Sequence, residues 1–343
     1  MSSRARTCST RSPPSPTSGA PSVCGPRGRP PGRGGDSLRR PRSSVYGLGG
    51  TMTDEHRGPV LVAIDDTAHS WLAVEWAAAE AALHGLTLRL VHSVGPGPEI
   101  GYDETGAGLT EQVFEAVTGM LEDARSRIAA AHPHLPVDTV LVHGRPAEAV
   151  LDAAAGADAE VVVLGTRGRG GFAGLLLGSV SMKVAAHADR PVVVARGQVE
   201  RAVGDDIAVG VRDERDEAAV RFALAEGGVR RATVRLVHAW SPLREAGLMV
   251  PQVGHVDEEQ RSHAELLNRV ARAAAEDFPE VRVVTELAVA SSPASALVDA
   301  SREAGLVVLP RHPAEGGLGL PLGTVTHAVL HHANCPVAIV PVR

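Results

Sequence analysis

Residues 158–181 read DAEVVVLGTRGRGGFAGLLLGSVS. A short apolar run, Val161 to Leu164, opens into a glycine-rich loop that ends at Gly178-Ser179, where a helix is predicted to begin. Glycines let a backbone approach a ligand closely, and the N–H groups and positive dipole end of a helix start suit an anion such as phosphate. The stretch therefore reads as a strand, a phosphate-type loop and a helix start.

Outward from this stretch, strands and helices alternate. VLVAI (60–64) precedes a helix over Ser70–His84, in which Leu72, Trp76, Ala79 and Leu83 share one face and Gly85 is the expected C-cap. Next come a strand at 86–94, a Gly/Pro-rich loop from Gly95 to Gly108, a helix over Leu109–Ala131 and a strand at 137–143. A Gly144-Arg145-Pro146 turn leads into a helix over Ala147–Ala155. The run at Glu160–Leu164 is the fourth strand; after the loop, a helix over Ser179–Ala188 and PVVVA (191–195) close the unit. Such alternation predicts an α/β fold, a parallel sheet with helices on both faces.

The pattern then repeats. RLVH at 89–92 returns at 235–238, GSVS at 178–181 returns as GTVT at 323–326, and RPVVVA near 190 returns as CPVAIV near 335. Shifts of 145 and 146 residues describe tandem domains rather than a solenoid. The expected organisation is a tail at 1–57, a first domain at 58–197, a linker at 198–205 and a second domain at 206–343. The tail is rich in Ser, Pro, Gly and Arg and lacks apolar periodicity, so it is expected to be disordered, and Met52 is a candidate natural start.

Composition narrows the function classes. The chain has 343 residues, of which 44% are hydrophobic and only 3% aromatic, which suits helix-on-sheet layers better than stacking platforms for single-stranded nucleic acid. Net charge is −6, yet residues 1–50 hold nine Arg against one Asp, so the remainder carries −14. An acidic body disfavours DNA and anionic membranes. Cysteines 8, 24 and 335 form no disulfide framework, and no run reaches the roughly 18 apolar residues of a membrane span, so a cytoplasmic location is expected.

In a doubly wound sheet, ligands sit beyond the carboxyl ends of the strands where strand order reverses. If the first and fourth strands are neighbours there, Asp65-Asp66-Thr67 faces the loop from Gly165 to Ser181. The carboxylate then suits sugar hydroxyls, and the loop suits phosphates.

These features in this order resemble the ATP-binding signature of the universal stress protein family. The residues that carry the likeness are Gly165-x2-Gly168-x9-Gly178-Ser179 after the fourth strand, a first strand ending in Asp65, a strand ending LVH at 90–92, the Gly144–Ala147 turn, and RPVVVA. It covers residues 58–343 as two tandem domains. The resemblance implies two flavodoxin/Rossmann-like domains, each a five-stranded parallel sheet of order 3-2-1-4-5, with ATP and Mg2+ across the switch point. Asp65 would meet the ribose and adenine side, with Ala63 and Ser93 lining the base. Gly165, Thr166, Gly168, Gly178, Ser179, Val180 and Ser181 would hold phosphates, with Arg167 and Arg169 as helpful cations. The family also pairs domains through its fifth strands, here PVVVA and PVAIV, two apolar sheet edges. That implies a pseudo-dimer within the chain and leaves a homodimer with a second chain open.

The second half departs from the signature. Pro310 and Pro313 stand where the first half has Gly165 and Gly168, and Arg212 stands where it has Asp65. Proline offers no N–H. A structural or regulatory copy follows, with a different anion on Arg212 and Arg311 as the alternative. The expected function is a nucleotide-responsive regulator of stress or dormancy acting on an unidentified protein partner, not an enzyme. A slow ATPase or phosphotransferase, and an interaction module without nucleotide, are the alternatives. No G-x4-G-K-[ST] loop is present, and Gly168–Ala173 matches a dinucleotide fingerprint after the wrong strand. His327 and His331, four apart, lack further ligands apart from Cys335 and read as surface histidines. His92 and His238 end equivalent strands and read as structural.

Overall fold

The computed structural model describes residues 57–95, 108–168, 177–197, 206–240, 253–312 and 322–342, without the side chains of 108–111 and 253–256. Residues 1–56 of the expected tail, the linker at 198–205 and Arg169 lie outside the described residues.

The valine run is β4 (Val161–Gly165), and every residue of it is buried. A strand hidden on both faces needs a helical layer on each side. Alternate residues serve the two layers: Val161 and Val163 pack into one cluster, Val162 and Leu164 into the other. The first layer holds α1 (Ala68–His84) and α2 (Gly108–Ala131). The second holds α3 (Pro146–Gly156) and α4 (Ser179–His187). Between them lie β1 (Val60–Ala63), β2 (Leu88–Val94), β3 (Val137–His143), β4 and β5 (Val192–Ala195) in the order β3-β2-β1-β4-β5, all parallel. β1 and β4 are neighbours, with Val60 opposite Val161 and Val62 opposite Val163.

The second half repeats this layout with β6 (Asp206–Gly210), β7 (Val234–Trp240), β8 (Val283–Val289), β9 (Ala304–Arg311) and β10 (Val337–Pro341). Its helices are α5 (Glu217–Arg230), α6 (Val253–Ala275), α7 (Pro293–Ala300) and α8 (Gly323–His332). α5 and α6 join the layer of α1 and α2, and α7 and α8 join that of α3 and α4.

The fifth strands are the edges through which the halves pair, as the family resemblance implied. β5 and β10 pair antiparallel, with Val192 opposite Ile339 and Val194 opposite Val337, so the halves form one ten-stranded sheet bounded by β3 and β8. Their apolar residues are buried because each strand has a partner on both sides. Antiparallel pairing also turns the halves head to tail. The carboxyl ends of the first five strands and of the second five point to opposite ends of the sheet.

A buried ion cluster closes the same junction. Glu80 and His84 of α1 meet Glu226 and Arg230 of α5, and all four are buried. Arg230 bonds Glu80 through Nη2 and Glu226 through Nε at 2.8 Å, while His84 Nε2 lies 3.1 Å from Glu226 Oε1 and 3.4 Å from Glu80 Oε1. Burial opposes the His84 charge, but its hydrogen bonds to Glu226 and Glu80 outweigh that and hold its pKa up at about 10. Among the described residues Glu80, His84 and Glu226 are the group of metal-type ligands that converges. With His84 protonated and Arg230 bonded to both carboxylates, the cluster is a four-membered ion network rather than a cation site.

Candidate functional site

At the carboxyl end of β1 the chain turns sharply. Asp66 takes a left-handed conformation, φ 62°, which Asp tolerates better than most residues. Thr67 then caps α1 in a reciprocal box with Ser70, so the helix starts at Ala68, two residues before the sequence-based expectation. The half-buried Asp65 carboxylate is oriented by this cap: Oδ1 accepts from Thr67 Oγ1 at 2.7 Å and from Thr67 N at 3.3 Å. Ser70 Oγ accepts from the Asp65 and Thr67 N–H groups at 3.3 and 3.2 Å.

β4 faces this turn from the neighbouring position, and its three signature glycines differ in what they do. At Gly165 a β-carbon would collide with the main-chain carbonyl of His69, so this glycine lets the start of α1 lie against the strand. At Gly168 a β-carbon would collide with Asp65 Oδ2 and sit 3.5 Å from its Cγ. Gly168 is thus held against the carboxylate that the sequence analysis set opposite it. Gly178 N–H donates to Thr166 O at 2.7 Å and closes the base of the loop, and Gly178 is the N-cap of α4.

α4 has no side-chain cap, and Ser179 at its first position is exposed, with Val180 half-buried behind it. Its first-turn N–H groups form the donor set that suits an anion. Two of the expected phosphate residues do other work. Ser181 is buried and donates from Oγ to Gly165 O at 2.7 Å, and Thr166 is buried, its carbonyl taken by Gly178 N–H. Ala63, the last residue of β1, is half-buried. Ser93 donates from Oγ to Gly144 O at 2.9 Å, which ties the end of β2 to the β3–α3 turn. Arg167 donates from Nη2 to His69 Nε2 at 3.2 Å.

His69 and Ser70 belong to this site and were missed in the sequence analysis, which placed Thr67 opposite the loop without its capping role. The Thr-x-x-Ser spacing ahead of the helix was the available signal, a capping pattern with Ser in the usual Glu/Gln place. His92 sits beneath, buried, with Nδ1 donating to Ile64 O at 2.6 Å; His238 does the same for Val211 O at 2.8 Å. Both are structural, as expected.

The second half shows what replaced this arrangement. Ile64 N–H bonds Val91 O and Val211 N–H bonds Val237 O, so Arg212 occupies the position of Asp65. In place of Ser70 Oγ, the fully buried Asp216 Oδ2 accepts from the Arg212 and Asp213 N–H groups at 2.5 and 3.3 Å. Asp216 Oδ1 pairs with His312 Nε2 at 2.6 Å. This crevice contains its own anion, already paired.

Both arginines of the anion alternative have protein partners in the same region. Arg311 donates to the carbonyls of Ala186 and Ala188 in the first half, and Arg212 pairs with Asp213 at 3.2 Å, alongside Arg215. The Arg215 hydrogen bond holds the Asp213 carboxyl well below the usual carboxylate range. His327 and His331 stack, ring centroids 4.5 Å apart, on α8. No described helix is long and apolar enough to cross a membrane.

Comparison with known proteins agrees with this architecture. The model of the "Universal stress protein family" matches residues 56–196 and again 205–341. A universal stress protein of Mycobacterium tuberculosis strain H37Rv is 32% identical over 290 residues, covering 82% of this chain and 96% of the relative. One from Mycolicibacterium smegmatis is 30% identical over 301 residues, covering 83% and 97%. The crystal structure of a universal stress protein from Archaeoglobus fulgidus superposes with a TM-score of 0.62 at 15% identity, covering 83% of this chain and 98% of that one. Two tandem matches, near-full-length relatives and a shared fold all point the same way: the chain belongs to the universal stress protein family.

Proposed function

We propose that the first half binds an adenine nucleotide, ATP with Mg2+, and that the chain is a nucleotide-responsive regulator of stress or dormancy whose second half binds no nucleotide. The observation that carries this reading is the approach of Gly168 to the Asp65 carboxylate, across the β1–β4 switch point and beside the uncapped start of α4. Asp65 would take sugar hydroxyls. The first turn of α4 and the Ser179 hydroxyl would take phosphate oxygens, with Arg167 and His69 adding positive or donor character. Ala63 and Ser93 would line the base, and Arg169, in the loop, would add a further cation.

The donor set fits a nucleotide phosphate, since a β-carbon at Gly168 would fill the space beside Asp65 and the first turn of α4 offers uncapped N–H groups. Mg2+ would be held chiefly by phosphate oxygens and water, as a hard cation that dehydrates reluctantly. In the second half the buried Asp216, paired with His312, and Arg212 in the place of Asp65 support nucleotide binding in the first half alone.

The test is calorimetry with Mg-ATP on the full chain, with identification of nucleotide released from purified protein by denaturation. One ATP per chain without turnover, lost in Asp65→Ala, is the expected result. Two per chain would overturn the single-site reading. Steady phosphate release that disappears in Gly168→Pro at unchanged fold would make the chain a slow ATPase instead.

A further inference from the structure

α4 runs between two places of interest. Its first turn faces the proposed phosphate position at the carboxyl end of β4. Its last turn reaches the amino end of β5, where the antiparallel junction brings the carboxyl ends of the second half's strands. Arg311, the last residue of β9, donates there from Nη1 to Ala186 O and from Nη2 to Ala188 O at 2.5 Å. The next residue, His312, holds Asp216 in the second crevice. Arg311 and His312 therefore grip the far end of one half's helix and the buried acid of the other half.

The arrangement is reciprocal. Arg196 follows Ala195, which pairs with Gly165 at the start of the first-half loop. Its guanidinium donates to Leu330 O at 2.7 Å, His331 O at 3.1 Å and Val329 O at 3.5 Å, the C-terminus of α8. Each half thus closes the C-terminus of the other half's corresponding helix.

Building on the nucleotide reading above, we propose that Arg311 is a positioning residue of the first half's site. Through it the second half sets nucleotide affinity in the first, and occupancy of the first is felt at Asp216–His312. A helix of nine residues is about 13 Å long and too short to be stable alone, so its direction is set by what holds its ends. An anion at the start and a guanidinium at the end both complement the helix dipole. Any state in which Arg311 lets go leaves the first-turn N–H groups less well placed, and by linkage nucleotide binding strengthens the Arg311 contact in return.

The experiment uses the full chain. Mg-ATP is titrated by calorimetry into wild type, Arg311→Ala and Arg311→Lys, and hydrogen exchange is followed by peptide with and without Mg-ATP. In wild type, ATP is expected to protect residues 179–187 and also 304–312. Arg311→Ala is expected to bind about fivefold more weakly, the lower range of ordinary inter-site coupling, and to lose the ATP-dependent protection at 304–312 while keeping it at 179–187. Arg311→Lys keeps the charge but not the fork that spans two carbonyls, and is expected to fall between; it decides the matter in the same way if Arg311→Ala does not fold. Unchanged affinity and protection in both variants would overturn the inference, as would protection in wild type confined to the first half. Wild type that binds no ATP would overturn the nucleotide reading itself, and this inference with it.

Discussion

Arg230 of α5 bonds Glu80 of α1 across the junction between the halves, 150 residues apart in the chain and both buried. Glu80 and Glu226 are repeat-equivalent, as are His84 and Arg230, so the cluster sits where the two copies of one helix face each other. Two carboxyl groups face two cationic side chains, with burial and Glu226 pushing the Glu80 carboxyl up. Replacing Arg230 with Met at constant volume leaves two buried carboxylates facing one imidazolium. A loss of about 3–5 kcal/mol in unfolding free energy is expected, measured by urea denaturation at pH 7.

The same cluster predicts the pH dependence of stability. The folded-state pKa of His84, about 10, lies above its ordinary value, so its contribution is complete below about pH 6.5 and is lost as pH rises toward 10. Glu226 is the opposite case. Although burial opposes its charge, Arg230 and His84 hold its pKa at about 2, so its contribution is present above about pH 4.5 and lost as pH falls toward 2. Glu80 is raised by burial and by Glu226, and accepts a proton first on the acid side. The urea midpoint is therefore expected to decline between pH 7 and 10 in wild type and to be flatter over that range in His84→Gln.

Gly168 tests the site rather than the junction. It is exposed, and among the described residues a β-carbon there would strike only Asp65 Oδ2. Gly168→Val is expected to leave the thermal midpoint nearly unchanged, as exposed loop substitutions usually stay within about 0.5 kcal/mol. It is expected to abolish Mg-ATP binding in calorimetry. A variant that binds ATP as wild type does would remove Asp65–Gly168 as the carrying observation.

Much of this was legible because period-2 burial and helix punctuation are local signals. The β4 valines, the Gly85 cap and the repeat of RLVH set the elements and their order. What stayed hidden depends on contacts far apart in sequence. Gly165 looks like a phosphate glycine, yet its packing partner is the His69 carbonyl, almost a hundred residues away. Ser181 carries a hydroxyl in the expected place, yet the start of α4 buries it on Gly165 O. The pairing of β5 with β10 was expected from the family resemblance, but its antiparallel register, which turns the two halves head to tail, is set by contacts about 145 residues apart.

Asp216 and His312 give the sharpest test of why the second half differs. Asp216 is wholly buried, its Oδ2 takes two N–H groups where Ser70 Oγ does in the first half, and its Oδ1 depends on His312. His312→Ala leaves that buried oxygen without its 2.6 Å neighbour, and a loss of about 1–3 kcal/mol is expected, the cost of an unpartnered buried polar atom. Asp216→Ser rebuilds the first-half arrangement, a hydroxyl that can accept the same two N–H groups, and is expected to recover most of the stability of the His312→Ala background. It is not expected to create an ATP site, because Arg212 still stands where Asp65 is needed and Pro310 still lacks an N–H. Urea midpoints of the two single variants and the double variant, with Mg-ATP calorimetry on each, measure both statements. A double variant no more stable than His312→Ala would show that the crevice requires the acid itself.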